Sequence, residues 1–453
     1  MQGANAPIPD SVTPNKGYRT LVLLILTLIY AFNFIDRQII GILSPKIQAD
    51  LQLSNSEMGL LKGFLFALFY TTIGIPIAWL ADRYNRTNIV AASLAIWSGF
   101  TVLTGMANSF LTIGLARMGV GVGEAGGSPP SHSIISDMYS KNERSTALAI
   151  YALGIPLGLG FAYFIAGYVL GGESNFTWRQ LLLGLGIAGI ALAIIARIVI
   201  REPVRGAQEG KFNKDAQIPF KEALKTLLSI KSWWAMCMGI ALASFVGYGI
   251  SLWQIDYLLP FDTAQGDAAY GFRNFMYVLA FTNAVFYGGG TFFGGALAER
   301  LAGKSVSNYA IVPAISILIC LPLCIAAFWV QSTTGHLAIG AILLFFLGMY
   351  LGPSFAIAQT LAPINMRAMS TALFFLILNL IALGGGPTTV GFLADIFKET
   401  HGQVHAIRLS ITIITVAFIL SAISFFIAAK TLPKDWADAE KRNEELATAE
   451  NFD

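Results

Sequence analysis

The chain has 453 residues, of which 55% are hydrophobic and only 12% are charged, and its mean hydropathy is +0.65. Soluble domains carry about 25% charged residues, so this composition excludes an ordinary soluble globular protein. The net charge of +3 is small, and no nucleic-acid partner is expected. Three cysteines lie within apolar runs, which predicts packing residues and not a disulfide framework or a metal site.

About twelve apolar runs are long enough to cross a bilayer, which takes about 20 residues in a helix. They lie near 18–43, 57–81, 88–107, 110–131, 143–171, 177–200, 231–259, 273–298, 308–330, 336–360, 370–395 and 406–430. The first run follows a polar N-terminus that lacks a small-residue cleavage site, so we expect a retained helix and not a signal peptide. The predicted fold class is an all-α membrane protein of twelve transmembrane helices.

One charged stretch divides the runs into six and six. It predicts an N-terminal segment 1–17, a six-helix bundle 18–200, a linker 201–228, a second bundle 229–430 and a polar tail 431–453 that lies in water. Most Lys and Arg fall in the loops on the side of the two termini, so both termini are predicted to be cytoplasmic. The short N-terminus and the absence of sorting signals favour a bacterial inner membrane.

The two halves resemble each other in sequence. AWLADRYNRT, beginning at Ala78, follows the second run, and GALAERLAGK, beginning at Gly295, follows the eighth. RSTAL at Arg144 opens the fifth run, and STAL at Ser370 opens the eleventh. Two parallel six-helix repeats predict a substrate site near the membrane midplane and alternating access by rocking of the halves.

Charged residues inside the first and fourth runs indicate function. An ionised side chain in hydrocarbon costs from roughly 2.5 to over 10 kcal/mol, yet the first run carries Asp36 and Arg37 and the fourth carries Arg117 and Glu124. A small helix movement can switch buried carboxyls between proton-bound and salt-bridged states. We predict that Asp36 and Glu124 carry protons and that Arg117 tunes them. The alternative is a structural ion pair, such as Asp36 with Arg117, that locks the two helices together.

Other polar residues within the runs are candidates for substrate binding. Asn33 lies on the same helix face as Arg37, which is either a tuning partner or the contact for an anionic headgroup. The second half contributes Gln254, Gln359 and Asn379 to the predicted substrate surface. We expect no comparable buried acid in that half. Lys62 is expected to extend its ammonium group to the membrane surface, as lysines near helix ends commonly do.

The loop after the second run carries a charge motif that predicts a cytoplasmic gate. Its acid and arginines are Asp82, Arg83 and Arg86, and the second half has a looser copy in Glu299 and Arg300. Such charges can bind helix ends and each other across the interface of the halves. Asp137 and Arg144 of the next cytoplasmic loop are suited to the same role. The alternative is a tight turn with solvated charges that serve topology alone.

This motif resembles the loop signature of the major facilitator superfamily, although both of its glycines and its last basic residue differ. Within the superfamily, three stretches look most like the spinster-type transporters: Asn33–Leu51, Met58–Arg86 and Arg117–Gly160. The C-terminal half resembles only the superfamily in general. The resemblance implies the major facilitator fold, with two pseudo-repeat bundles, and a carrier, driven by protons, of amphipathic lipids such as lysophospholipids or sphingosine phosphate.

Two other functions stay open at this point. The organic-anion symporters of the superfamily carry Gly-Glu-Ala and Glu-Arg motifs at comparable places, so a polar organic anion is the alternative substrate. A membrane receptor that binds without transporting is a further alternative. An enzyme is not expected, because no nucleophile has a neighbouring base. No cofactor is expected beyond a proton gradient, and the predicted partners are the substrate and the bilayer, with the chain acting as a monomer.

Overall fold

A computed structural model describes residues 15–170, 176–204, 220–265, 272–362 and 367–449. These residues are almost entirely helical, and no strand occurs among them. They form twelve helical columns, each of which is one helix or a series of consecutive helical segments, and the columns are numbered α1 to α12 in chain order. Their bounds are α1 (Lys16–Leu51), α2 (Asn55–Lys62 and Phe64–Arg83), α3 (Arg86–Met106), α4 (Phe110–Glu124 and Ser128–Met138), α5 (Lys141–Ala152 and Gly154–Leu170), α6 (Trp178–Val199), α7 (Lys231–Gln265), α8 (Phe272–Thr282, Asn283–Tyr287 and Gly288–Ala302), α9 (Asn308–Trp329), α10 (Thr333–Gly348 and Leu351–Thr360), α11 (Arg367–Leu378, Asn379–Gly385 and Gly386–His401) and α12 (Gln403–Ile414 and Val416–Ala449).

Ten of these columns contain a helical stretch long and apolar enough to cross a membrane. The other two, α4 and α8, are helical but do not reach that combination of length and apolarity in the part of the chain that the structure describes. Both lie in their bundles like the other columns, since α4 packs against α2 and α3 and α8 packs against α9 and α10. The predicted all-α fold is confirmed.

The ends of the chain differ in part from the expected boundaries. Most of the N-terminal segment 1–17 and of the linker 201–228 lies outside the described residues, although a short helix spans Phe220–Ser229. The tail predicted to lie in water continues α12 as a helix to Ala449. It packs back on the second bundle: Asp435 accepts hydrogen bonds from the backbone N and Oγ of Ser232 at 2.8 and 2.6 Å, and Trp436 stacks on Tyr309.

Several columns are interrupted where the sequence is rich in glycine. α4 breaks directly after Glu124, and the prolines at 129 and 130 start its second segment, a position where their missing N–H groups cost nothing. In α8 and α11 the segments Asn283–Tyr287 and Asn379–Gly385 are π-helical. Such π-bulges often occur at functional sites, because the extra residue redirects the side chains that follow.

The two halves run in the same direction and meet at one end. Gln38 of α1 hydrogen-bonds Ser251 of α7 at 3.4 Å, and Ser44 hydrogen-bonds Asp256 at 2.6 Å. α1 and α7 therefore lie side by side in parallel, so their first residues share one end of the molecule, which we call the terminal end. The opposite end is called the distal end. There the first segment of α2 packs on the last segment of α11, and Asp395 accepts hydrogen bonds from the backbone N–H groups of Asn55 and Ser56.

Close helix packing within the second bundle yields a stability prediction. A Cβ atom at Gly290 of α8 would overlap the carbonyl oxygen of Phe345 on α10, whereas a Cβ at Gly288 meets no described atom within 4 Å. We expect Gly290→Ala to destabilise the protein by about 1–3 kcal/mol through overpacking, and Gly288→Ala to be neutral or slightly stabilising. Thermal unfolding of the two purified variants in detergent measures the difference. Equal midpoints would contradict this packing.

Candidate functional site

The first bundle contains a cluster of buried charges at the centre of its helices. α1 supplies Asn33, Asp36 and Arg37, and α4 supplies Arg117 and Glu124. The helices approach closely because α4 is rich in glycine: a Cβ at Gly121 would lie 2.6 Å from the carbonyl oxygen of Phe66 on α2. The glycines thus let α4 pack closely on its neighbours α2 and α3.

Glu124 and Arg37 form the central ion pair of this cluster. Arg37 Nε lies 2.7 Å from Glu124 Oε2, while the other carboxylate oxygen, Oε1, has no hydrogen-bond partner among the described residues. The guanidinium of Arg37 also stacks over the ring of Tyr70, at 4.4 Å from its centroid. The Glu124 side chain is fully buried, whereas 15% of the Arg37 side chain is exposed. Arg37 is therefore the charge that a ligand can reach.

Asp36 is held by a neutral neighbour. Thr101 Oγ1 of α3 donates a hydrogen bond to Asp36 Oδ2 at 2.5 Å. Arg117 instead donates from Nε to the carbonyl oxygen of Leu61 at 3.4 Å, lies over the Phe66 ring and has one terminal nitrogen without a hydrogen-bond partner in the described structure. No salt bridge joins Asp36 to Arg117 within the described residues, and the ion pair that joins α1 to α4 is instead that of Arg37 with Glu124.

Unsatisfied polar atoms are unusual in a buried cluster. Besides the atoms of Glu124 and Arg117, Asn33 Oδ1 is buried without a described partner. Each such atom costs about 1–3 kcal/mol, so a cluster that retains several of them calls for a physical reason. A set of two acids and two arginines, with one ion pair formed and the second arginine outside it, can exchange partners. Chemically, the cluster can bind an anion, take up a proton or do both.

The predicted substrate residues of the second half are not all in one place. Gln254 lines a small pocket of about 40 Å³ between α7, α8, α9 and α10, together with Ser251 and Asn283. Gln359 is exposed on α10 and does not line this pocket. Asn379 is buried in the π-helical segment of α11, where its amide donates to the carbonyl of Phe375 at 2.8 Å.

His336, for which the sequence predicts no role, forms part of the same pocket. His336 Nδ1 lies 2.7 Å from the carbonyl oxygen of Ala327, so this nitrogen carries the proton and donates. Nε2 is then the acceptor for the amide of Gln254 at 3.3 Å. Charged residues do not occur among the residues that line the pocket. A lone histidine near a helix start has no sequence signal that distinguishes it from a surface residue.

The predicted gate charges at the terminal end centre on Arg86. It is buried, donates to Glu202 at 2.7 Å and to Ser133 at 2.7 Å, and also binds Asp137 and the carbonyl of Pro203. These partners all belong to the first half or the residues directly after it, so these bonds of Arg86 do not cross the interface. Glu202 had no assigned role in the sequence, because acids in linkers are common.

The other predicted gate residues differ in exposure and in the contacts that the structure describes for them. Arg83 is exposed and stacks on Trp79 of its own helix, at 3.9 Å. Arg144 donates to the carbonyl oxygen of Ser136 at 2.8 Å. Glu299 and Arg300 are exposed on α8, and the side chain of Asp82 lies outside the described part of the structure.

Two expectations about charges in the membrane are wrong. Lys62 does not extend to the surface: it is 1% exposed, and its Nζ lies 2.6 Å from Asp256 Oδ2. The second half therefore does contain a buried acid. The physical reason is that α1 and α7 pack side by side across the interface of the halves, which buries Asp256 against Ser44 of α1 and Lys62 of α2.

Comparisons with known proteins agree with this architecture. The family model described as Major Facilitator Superfamily matches residues 26–387. An MFS-type efflux pump of Mycolicibacterium smegmatis is 28% identical over 91% of this chain and 92% of its own. Protein spinster of Drosophila melanogaster is 27% identical over 88% of this chain and 66% of its own. The chain spans about half the length of the spinster homolog 1 proteins it matches, such as the human one at 48%.

Solved structures show the same relationship. The crystal structure of a bacterial homologue of the human lysosomal transporter Spinster, inward-facing and unoccupied, has a TM-score of 0.81. That protein is 30% identical, and the match covers 93% of this chain and 99% of that one. The nucleoside transporter NupG, at 12% identity and a TM-score of 0.68, shares the fold alone. The protein is an integral, multi-pass membrane transporter and not an enzyme, and it belongs to the Major Facilitator Superfamily as a spinster-like member.

Proposed function

We propose that the protein is a proton-coupled secondary transporter that moves an amphipathic, lipid-like substrate by alternating access. The observation that supports the proposal most is the ion pair of Glu124 with Arg37 in the interior of the first bundle. A second acid, Asp36, directly precedes Arg37 on α1, and a second arginine, Arg117, lies on the same helix as Glu124. A structural ion pair needs neither the second acid nor the unpaired arginine atoms. In a carrier that binds and releases protons, both give the charges alternative partners.

We infer that one guanidinium links proton binding to substrate binding. Arg37 pairs with Glu124 and is the partly exposed member of the pair, so an anionic headgroup and the Glu124 carboxylate compete for it. An anion that binds Arg37 leaves Glu124 as a buried carboxylate without its partner. Protonation removes that cost, because a neutral carboxyl is far easier to bury than an ion. Substrate and proton therefore favour each other's binding. The nearby charges of Asp36 and Arg117 adjust the proton affinity of Glu124.

The amphipathic substrate class rests on the relatives and on the lining of the protein. The chain is similar to a bacterial homologue of the human lysosomal transporter Spinster. Aromatic rings surround Arg37, and the pocket beside Gln254 combines a few neutral polar groups with aliphatic walls. We infer that the charged headgroup binds at Arg37 and that the apolar body lies against the second half. Asn33 would assist at the headgroup, and Gln359 and Asn379 would contribute to the substrate path.

A polar organic anion is the second candidate substrate, favoured by the exposed part of Arg37 and by the neutral hydrogen-bonding groups of the pocket. A receptor without transport is the third. For any of these, we propose a bacterial inner membrane with both termini cytoplasmic, a monomer, and closure of the terminal end by the gate residues. These are Asp82, Arg83, Arg86, Asp137, Arg144, Glu299 and Arg300.

Flux into proteoliposomes tests the proposal. Labelled lysophospholipid and a labelled polar anion would be compared with and without a pH gradient, and with Asp36→Asn as a variant. We expect gradient-stimulated flux of the lysophospholipid and loss of the stimulation in the variant. Stimulated flux of the polar anion alone would favour the second candidate. Tight binding of one compound without flux of either would favour the receptor.

A further inference from the structure

The ion pair of Lys62 and Asp256 joins the two halves in the interior of the protein. Lys62 belongs to α2 and Asp256 to α7, and neither side chain is more than 3% exposed. Lys62 also lies over the Trp253 ring, 3.6 Å from its centroid, and Ser44 Oγ donates to Asp256 Oδ1 at 2.6 Å. Each charge of the pair is therefore in contact with groups of the opposite half. The Lys62–Asp256 pair is separate from the cluster of buried charges around Arg37 and Glu124.

The surroundings of the pair show that the distal end is closed. Gly59 of α2 is so close to α11 that a Cβ there would lie 2.9 Å from the carbonyl oxygen of Pro387, and a Cβ at Gly41 of α1 would meet Leu252 of α7. Asp395 covers the start of α2 with two hydrogen bonds to its backbone. Alternating access requires the halves to part at this end. The Lys62–Asp256 pair must then break, because its two members lie on opposite halves.

We propose that Lys62 and Asp256 form a charge-matched gate at the distal end, which closes only when both charges are present or both are absent. The proposal rests on alternating access but not on the identity of the substrate or on proton coupling. In the open state each charge is solvated separately, so the intact pair contributes little net free energy to closure. Closing the end with one charge removed buries the other without a partner, which is strongly unfavourable. The pair thus makes closure depend on the match of charges.

Spin-label distances at both ends test this gate. In a background with the three cysteines replaced by alanine, labels at Lys46→Cys and Glu399→Cys report on the distal end, since both positions are exposed on opposite halves. Labels at Asn88→Cys and Lys304→Cys report on the terminal end in the same way. We expect Asp256→Asn and Lys62→Met each to raise the distally open fraction by roughly tenfold or more, with a reciprocal shortening at the terminal end.

The double variant separates a gate from a general loss of packing. Lys62→Met with Asp256→Leu removes both charges, so the distal distances should return to those of the parent, within about twofold in the open fraction. The matched control is Asp50→Asn, which breaks an ion pair with Arg179 at the same end but within one half, where the side chains are 46% and 32% exposed. It should leave both distances unchanged.

Three outcomes would overturn the proposal. The first is unchanged distal distances in both single variants. The second is a double variant as open as the single variants, because mere loss of packing would predict that. The third is a broad distribution of spin-label distances at both ends in a single variant and the same broad distribution in the double variant. That result would mean that the pair is needed for folding and not for gating. A transport defect in these variants is not needed for the test, so failure of the proposed function stays distinguishable.

Discussion

Glu124→Gln is expected to abolish the dependence of uptake on a pH gradient while leaving exchange of substrate across the membrane intact. Glutamine keeps the shape of the side chain and can still accept the hydrogen bond from Arg37 at 2.7 Å, but it cannot gain or lose a proton. A gradient equivalent to 100 mV contributes about 2.3 kcal/mol per charge, which corresponds to roughly 50-fold accumulation. The variant should lose that accumulation entirely in a flux assay with proteoliposomes.

The matched control for this prediction is Glu143→Gln at the terminal end. Glu143 is also an acid in an ion pair with an arginine, but it is half exposed, and the hydrogen bond and charge of Arg19 hold the pKa of its carboxyl below the usual range. It stays ionised throughout the neutral range and cannot act as a proton carrier there. Its replacement should leave gradient-driven uptake within about twofold, as expected for a weak surface ion pair. Full retention of gradient-driven uptake in Glu124→Gln would contradict the assignment.

Arg86→Ala should produce the second large effect, a loss of about 3–5 kcal/mol in the free energy of unfolding. The side chain is buried and neutralises two acids, Asp137 and Glu202, so its removal leaves both carboxylates with less compensation. Arg83→Ala is the internal control, because Arg83 lies three residues earlier in the same motif but is exposed and stacks only on its own helix. It should change stability by no more than about 0.5 kcal/mol.

Thermal or denaturant unfolding in detergent measures the two arginine variants under the same conditions. A larger loss in Arg83→Ala than in Arg86→Ala would mean that the motif acts through its exposed arginine. Measuring flux alongside stability adds information about the gate. A stable Arg83→Ala protein with altered flux would support the predicted role of Arg83 in closing the terminal end.

The sequence was informative about which residues lie in the membrane interior. The apolar runs identified all twelve columns, and the cost of charge in hydrocarbon singled out Asp36, Arg37, Arg117 and Glu124, which the structure brings to one cluster. Helix periodicity was enough to place Arg117 and Glu124 together, because residues seven apart on α4 share a face. The repeated loop motif was likewise visible without any tertiary information.

The pairing of those charges was not visible in the sequence. Arg37 and not Arg117 contacts Glu124, and Asp36 bonds a threonine of α3. Periodicity determines the face that each residue occupies, but the rotation of each helix about its axis is set by packing with its neighbours. The glycine contacts of α4 with α2 and α3 are part of that packing, and they depend on helices distant in the chain.

By itself, the sequence determined the class of the protein, a membrane transporter of twelve helices in two halves. It also indicated functional charges in the membrane interior, because an ionised side chain there is costly. Tertiary structure alone decided the partners of those charges. It buried Lys62 against Asp256 across the two halves, where the sequence indicated a surface lysine and no comparable buried acid in the second half. The reason is physical. Apolarity is a property of each segment and can be read locally, whereas an ion pair between residues nearly 200 positions apart exists only once the two halves have closed around it.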